Sequence, residues 1–403
     1  MLVELIAIGG EILRGAIVNS NAAFISKTMQ IHGWKISRHT VLPDDHAQLK
    51  AGLQEALQRS DIVITTGGLG PTCDDITRSV AAELFDSPFH YDEKIAADLK
   101  KRFSDKLISL EDQATVPSKA HILLNRVGTA PGFAFLRHQK CLIMLPGVPE
   151  EMKVMFTEQA IPYLAKHFSS HQVFHKILHL CLASESQVDL VLRKLIAKYP
   201  SVDFGIYPFW GFLSLSIAST NSSQLEKAEQ ELLAHYNDSI YSTDPEATIE
   251  STLHTLFVQK KKTLACAESC TGGMIAQRLT SIPGASDFFL GSFVTYSNAL
   301  KRDILNVSEN ALNTRGAVSA EVVQEMLQGV FAKTTADYAI AVSGIAGPSG
   351  ATPDKPVGTV WVGVGERGKT PEVTRWQLPG NRLTINIGAT NRALAALWRL
   401  FVK

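Results

Sequence analysis

Long apolar runs are missing from this chain: no stretch reaches the ~18 consecutive apolar residues of a membrane-crossing helix. The opening Met1-Leu2-Val3-Glu4-Leu5-Ile6-Ala7-Ile8-Gly9-Gly10 is apolar but short, broken by Glu4 and stopped by glycines. It reads as a first buried strand and not as a signal peptide. An excess of charge of either sign is missing too. The 39 basic residues balance 39 acidic ones, so nothing points to a polyanion-coating surface or a nucleic-acid groove. Cysteine is scarce. Cys73, Cys141, Cys181, Cys266 and Cys270 are odd in number and lack paired zinc spacing, as expected of reduced thiols in a cytoplasmic protein. Histidine is absent from the hydroxyl-rich motifs of the C-terminal third, which argues against a Ser-His-Asp triad there.

The 403 residues are enough for roughly two to three domains. Over residues 1–170, strand-like runs (Leu2 to Ile8, Trp34 to Leu42, Asp61 to Thr66, Lys140 to Leu145) alternate with helical patterns (Asn21 to Ile31, Ala47 to Arg59, Asp74 to Phe85, Glu93 to Phe103, Glu150 to Lys166). Such alternation predicts a mostly parallel, three-layer α/β domain. A small α+β segment follows His167 to Gln172 and occupies 171–246. Its expected order is strand (Val173 to Leu182), helix (Ser186 to Tyr199), strand (Phe212 to Ala218) and helix (Gln224 to Tyr236). Thr243-Asp244-Pro245 marks the next boundary, and 247–403 reads as a second α/β domain. That domain opens on a helix at Ala247 to Gln259 and closes on one from about Leu383.

Two constellations carry chemistry. In the first, the apolar strand Ile62-Val63-Ile64 runs into Thr65-Thr66-Gly67-Gly68-Leu69-Gly70-Pro71-Thr72-Cys73-Asp74-Asp75. A glycine turn at a strand's carboxyl end, followed by a helix, is where open α/β sheets bind phosphorylated ligands. The spacing fits neither a Walker loop nor the dinucleotide fingerprint. Thr72 with Asp75 three residues on also forms a capping box, so Asp74 and Asp75 read equally as capping residues and as ligand or metal contacts. Ile8-Gly9-Gly10-Glu11 and Leu145-Pro146-Gly147-Val148-Pro149-Glu150 end two other strands in the same way. Together these three segments resemble the molybdopterin-binding-fold domain at the N-terminus of CinA proteins. Where that family often has Asp or Thr, this chain has Gly10, which keeps Glu11 and removes a side-chain ligand. The resemblance implies a nucleotide site of Gly9, Glu11, Gly67, Gly68, Gly70, Thr72, Asp74, Asp75, Pro146 and Gly147. It also implies ADP-ribose hydrolysis with a divalent cation (Mg, Mn or Co) near Glu11, Asp74 and Asp75. Relatives of that fold bind a pterin instead.

In the second constellation, the short strand Thr263 to Cys266 leads into Ala267-Glu268-Ser269-Cys270-Thr271-Gly272-Gly273 and then a helix. Ser269 and Thr271 therefore stand at a helix N-terminus, which favours an anion. Ser269, in this hydroxyl-rich turn, reads as a candidate nucleophile. Downstream come Pro283-Gly284-Ala285-Ser286, Val294-Thr295-Tyr296-Ser297-Asn298, Lys301-Arg302, Ser343-Gly344-Ile345-Ala346-Gly347-Pro348 and Gly380-Asn381-Arg382. Amide hydrolysis needs a nucleophile, a proton acceptor and donors for the oxyanion. A serine with a lysine base meets this need if burial lowers the lysine's pKa. Cys266 and Cys270 read as small buried fillers.

Taken in order, and with Lys355-Pro356-Val357-Gly358-Thr359-Val360-Trp361, these motifs closely resemble the C-terminal CinA domain, the nicotinamide-nucleotide amidase family. That resemblance implies deamidation of nicotinamide mononucleotide to nicotinate mononucleotide and ammonia, with no cofactor, in pyridine nucleotide salvage. Carried over residue by residue, it implies Ser286 as nucleophile, Lys301 as base and Tyr296 assisting. Ser269, Thr271, Gly272, Asn298, Ser343 and Gly344 would hold the substrate, and Arg382 would clamp its phosphate. It also implies a homodimer acting on small nucleotides, with no membrane or nucleic-acid partner. The alternative is a non-catalytic pterin- or nucleotide-binding N-terminal module in a protein that serves competence or the DNA-damage response as a partner. That role predicts a basic or exposed apolar surface, of which the composition shows no sign.

Overall fold

The computed structural model describes residues 1–72, 74–103, 109–169 and 173–403. Cys73 and the expected linker residues Ser170, His171 and Gln172 lie outside them. The chain divides into two compact units, Met1–Val173 and Phe174–Lys403.

In the first unit the strands are β1 (Val3–Ile8), β2 (Ile36–Leu42), β3 (Ile62–Thr66), β4 (Phe89–Tyr91), β5 (Thr115–Pro117), β6 (His121–Leu123), β7 (Gly132–Arg137) and β8 (Lys140–Leu145). The helices are α1 (Gly10–Leu13), α2 (Ser20–Ile31), α3 (His46–Arg59), α4 (Thr77–Leu84), α5 (Glu93–Phe103), α6 (Leu110–Ala114), α7 (Pro149–Met155) and α8 (Ile161–His167). Six strands form one sheet in the order β2-β1-β3-β8-β7-β6. The first four are parallel; β7 pairs antiparallel with β8, and β6 antiparallel with β7. Alternate residues of β1 face opposite layers: Val3 and Leu5 pack with Ile25 and Met152, and Ile6 and Ile8 with Leu49 and Val80. The expected helix over Glu150 to Lys166 is instead α7 and α8 joined by a π-turn at Phe156–Ala160. Pro162, which has no amide proton to donate, follows that turn. The short strands β4 to β7 have no counterpart in the sequence reading, because runs of three to six residues carry little periodicity.

The second unit holds two sheets. The first is antiparallel, in the order β10-β11-β9-β12, built from β9 (Phe174–Cys181), β10 (Asp203–Phe209), β11 (Phe212–Ser219) and β12 (Ile240–Ser242). It is backed by α9 (Glu185–Lys198) and α10 (Ser222–Tyr236). Where strand-helix-strand-helix was expected, β10 and β12 add two strands. After α11 (Ile249–Gln259) come β13 (Leu264–Glu268), α12 (Met274–Thr280), β14 (Phe289–Val294), α13 (Asn298–Leu305), α14 (Glu309–Thr314), α15 (Ala320–Lys333), β15 (Tyr338–Gly344), β16 (Thr359–Glu366), β17 (Glu372–Gln377) and α16 (Arg382–Val402). These strands order as β14-β13-β15-β16-β17, the first three parallel and the last two antiparallel. Helices α11, α12 and α16 cover one face, and α13, α14 and α15 the other. Among the described residues no helix is long and apolar enough to cross a membrane.

Both parallel sheets change direction at an inner strand. β1 lies between β2 and β3, and β13 lies between β14 and β15. The crossovers to those two neighbours leave on opposite faces, so a crevice opens at the carboxyl end of each inner strand, where open α/β sheets bind ligands. In the first sheet Glu4 is buried inside β1. Burial alone would raise its pKa, but hydrogen bonds from Arg59, Thr40 and Ser60 and the charge of Arg59 hold it below the usual carboxylate range. The Arg59 Nη2 to Glu4 Oε1 distance is 2.7 Å.

Arg59→Met should therefore cost about 3 kcal/mol at neutral pH, the low end for stranding one partner of a buried pair. A depressed carboxylate pKa contributes stability above its unfolded value and loses it as pH falls through the folded value. The deficit should accordingly shrink in denaturant melts of the full chain as acid protonates Glu4; a deficit independent of pH would refute this account.

Candidate functional site

The C-terminal crevice is built on β13. Leu264, Ala265, Cys266 and Ala267 are fully buried, and the strand delivers Ser269 to the turn that leads into α12. β14 ends beside it and delivers Thr295 and Tyr296. Ser297 then caps α13 by accepting the Leu300 N–H, which turns Lys301 inward. Lys301 is 1% exposed, although its neighbours Leu300 and Arg302 face solvent. Its Nζ lies 3.0 Å from Ser269 Oγ, 2.8 Å from the Thr295 carbonyl and 3.4 Å from the Tyr296 carbonyl.

No carboxylate among the described residues pairs with this amine. Burial pushes the Lys301 pKa down to about 8, against a smaller upward pull from the Cys270 thiol. Nζ donates to all three oxygens. In the neutral –NH2 form the two carbonyls keep the two N–H groups, and the lone pair then faces the Ser269 hydroxyl and can receive its proton. Cys270, buried next to Ser269, has its thiol pushed up to about 12 by that burial, and Cys266 is raised still further from reactivity.

The structure thus brings together Ser269, Lys301 and Tyr296. Ser286 is exposed, in the short 3-10 turn Ala285–Asp287, and makes no hydrogen bond to Lys301. Several hydroxyls expected to meet substrate are already engaged. Thr271 Oγ1 donates to Glu268, and Ser343 Oγ donates to the Ala317 carbonyl at 2.7 Å. Gly344 packs tightly, since a Cβ there would lie 2.7 Å from Val360 Cγ2 and 3.1 Å from Cys270 Sγ. Gly272 and Asn298 are exposed. Arg382 begins α16 and bonds the Gly347 carbonyl and the Tyr296 hydroxyl, so it reaches the same mouth.

The helix N-terminus expected to receive a substrate anion is already filled. The Glu268 carboxylate, 0% exposed, accepts from the backbone N–H of Gly273, Ile275 and Ala276 and from the Thr271 and Ser292 hydroxyls. The sequence held a signal for this. A lone carboxylate closing an otherwise apolar strand, just before a helix, has few partners other than helix N–H groups.

In the first unit a cleft of about 670 Å³ opens at the carboxyl ends of β1, β3 and β8. Gly9, Glu11, Gly67, Gly68, Gly70, Asp74, Asp75, Pro146 and Gly147 line it, together with Asn21, Asp44 and Glu151. The glycines have a steric reason. Gly67 sits at φ +105°, and a Cβ there would lie 2.3 Å from the Ile8 carbonyl oxygen, so only glycine lets β3 turn against β1. Thr72 is not among the lining residues, but its hydroxyl lies within hydrogen-bonding reach of both Asp74 and Asp75, and its bond to Asp74 holds that pKa below the usual carboxylate range. Asp75 also accepts the Thr72 N–H. Asp44, absent from the expected set, accepts the Gly10 N–H at 2.8 Å. Glu11, Asp74 and Asp75 share the cleft without converging: among the described residues no three of His, Cys, Asp or Glu come close enough to hold a metal ion. As placed, these residues do not fit a divalent cation.

Comparison with known proteins agrees with the two-part organisation. Residues 246–401 match the model of the CinA C-terminal domain, and residues 4–166 that of a probable molybdopterin binding domain. A competence-damage inducible protein of Caldicellulosiruptor saccharolyticus is 37% identical over 412 residues, covering 100% of both chains. A CinA-like protein of Endomicrobium trichonymphae is 38% identical over 427 residues, covering 100% of this chain and 99% of that one. Among solved structures, a CinA protein of Thermoplasma acidophilum is 36% identical, spans 40% of this chain and 97% of its own, and gives a TM-score of 0.37. With two family models in tandem and relatives aligned from end to end, the chain belongs to the CinA family.

Proposed function

We propose that the C-terminal domain hydrolyses a carboxamide, that of nicotinamide mononucleotide, with Ser269 as nucleophile and Lys301 as general base. The observation that carries this reading is the buried Lys301 amine 3.0 Å from Ser269 Oγ. Ser269 Oγ attacks the amide carbon, and its proton passes to Lys301 Nζ. The tetrahedral intermediate collapses as Lys301 returns that proton to the leaving nitrogen. Ammonia departs and leaves an acyl-serine. Water, deprotonated by the same amine, then releases the carboxylate and restores the hydroxyl. The role that the family resemblance carried to Ser286 passes in this reading to Ser269, because Lys301 touches only the latter. Tyr296 and Arg382, joined at the mouth, are the groups placed to meet the nucleotide's phosphate.

The N-terminal cleft we read as the site of a phosphorylated nucleotide or pterin, on the strength of its glycine turns at the carboxyl ends of β1 and β3. ADP-ribose is the ligand that the family resemblance favours. The described residues do not assemble a metal set, so no hydrolytic step is derived there.

Ser269→Ala should reduce ammonia release from nicotinamide mononucleotide by at least about 10³-fold, while Ser286→Ala stays near wild type. The opposite pattern in an ammonia assay would return the attack to Ser286. Because the neutral amine is the active form, kcat/KM should rise with pH through about 8 and level off above it. Lys301→Arg, which cannot lose its proton, should be inactive across that range. For the other cleft, calorimetry should detect ADP-ribose binding that Gly67→Val abolishes. AMP appearing with Mg, Mn or Co would distinguish a pyrophosphatase from a binding module.

A further inference from the structure

We infer that the seam between the antiparallel sheet of the second unit and α16 is a further ligand site, which takes the phosphoryl group of a mononucleotide on Arg392 and Arg399. The two arginines stand about two turns apart on one face of α16. Both are partly buried, yet neither guanidinium has a hydrogen bond or a carboxylate partner among the described residues, and in each the Nε–H is buried without an acceptor. Other partly buried arginines of the chain are paired: Arg59 with Glu4, Arg102 with Asp98 and Arg278 with Glu250. A guanidinium cannot shed its charge, so buried donors left without acceptors are costly unless an anion supplies them.

The groups around the pair leave its charge uncompensated. Arg392 lies over the Trp376 ring, 4.9 Å from its centroid, and so close to Gly211 that a Cβ there would collide with Nη1. Trp376 Nε1 is a third buried donor without an acceptor. Both arginines act electrostatically on Cys181 at the end of β9, so their charged heads lie on the side of that sheet. Burial pushes the Cys181 thiol up to about 12, which keeps it neutral and no counter-ion. The Glu250 carboxylate, on α11, is taken by Arg278, whose Nη1 also reaches Asn391. Burial accordingly draws the Arg392 pKa below its ordinary value, whereas Glu4 raises that of Arg59.

A planar fork of N–H donors matches the oxygens of a phosphoryl group in pairs. The adjoining hairpin supplies a surface for the rest of the ligand. Trp210 adopts φ +45°, unusual for a bulky residue, and its carbonyl accepts from Asn391 Nδ2 at 2.8 Å, which anchors the β10–β11 turn on α16. The Trp210 indole and the Phe209 ring stay exposed, one and two residues from the Gly211–Arg392 contact, and an exposed aromatic face stacks a nucleobase. Arg382, at the mouth of the other crevice, is about 15 Å away along α16. The site therefore does not depend on the amidase reading.

Calorimetry on the full chain, with inorganic phosphate and AMP as probes at constant ionic strength, tests this. The double variant Arg392→Met/Arg399→Met should bind one phosphate fewer per chain than wild type, while Arg382→Ala keeps this site. Trp210→Leu should weaken AMP here on the order of 10-fold and leave phosphate unchanged; unchanged AMP affinity would overturn the nucleotide assignment and leave free phosphate as the ligand. Thermal melts separate binding from folding. In phosphate-free buffer the double variant should melt no lower than wild type, because the Met side chains keep the packing and the uncompensated charge is gone. Saturating phosphate should raise the melting temperature of wild type more than that of the variant. A purely structural cation–π role for Arg392 predicts a lower melting temperature without phosphate and equal gains with it. That result, or identical phosphate stoichiometry in the two chains, overturns the inference. If the double variant does not fold, Arg399→Met alone carries the test and should weaken phosphate at this site at least about 10-fold.

Discussion

An ammonium group taken out of water loses hydration that two carbonyls and a hydroxyl do not fully replace. The C-terminal domain is organised around that deficit at Lys301. Desolvation favours the uncharged amine, and only the uncharged amine can take a proton from Ser269. A carboxylate against Lys301 would have removed the deficit by holding the amine charged, and with it the base of the proposed mechanism. The nearest buried carboxylate, Glu268, is instead turned away into the first turn of α12 and neutralised by backbone donors. The same environment keeps the Cys270 thiol protonated, so of the two nucleophilic side chains in that turn only the serine has a base.

This arrangement depends on topology as much as on side chains. β13 lies between β14 and β15, which are reached by crossovers on opposite faces of the sheet, α12 on one and α13 to α15 on the other, and its carboxyl end is open where those connections part. Ser269 comes from the end of β13, Thr295 and Tyr296 from the end of β14, and Ser343 from the end of β15. The first unit repeats the principle with different residues. β1 is its inner strand, and Gly67 at φ +105° lets the β3 turn approach the Ile8 carbonyl closely enough to leave a cleft lined by main chain. One crevice is lined by a hydroxyl beside a buried amine and the other by glycine main chain.

Much of this was legible in the residues. The apolar runs at Val3, Ile62, Leu264 and Tyr338 are buried parallel strands, and such runs signal themselves by composition. The strands β4 to β7, β10 and β12 did not, because they lack such fully apolar runs and are fixed by their partners more than by their own sequence. Site residues followed the same division. The glycine turns, Ser269, Lys301 and Asp74-Asp75 are visible as motifs. The partners of Lys301 are not, because two of them are backbone carbonyls. Ser286 lies in as recognisable a motif as Ser269, and family likeness favoured it; only Ser269 has a hydrogen bond to the amine.

The sequence by itself determined the two α/β domains, the strand-end glycine turns and the inventory of hydroxyls, amine and carboxylates available for chemistry, because periodicity and turn stereochemistry are local properties. The tertiary structure decided which of those groups meet. Ser269 comes from the end of β13 and Lys301, 32 residues on, from the first turn of α13 after β14, and their pairing follows from the register of β13 against β14. It also decided where Glu268 points. Whether a carboxylate next to a serine becomes a base, a metal ligand or a helix cap depends on which donors surround it in space, and those donors come from α12 and β14 together.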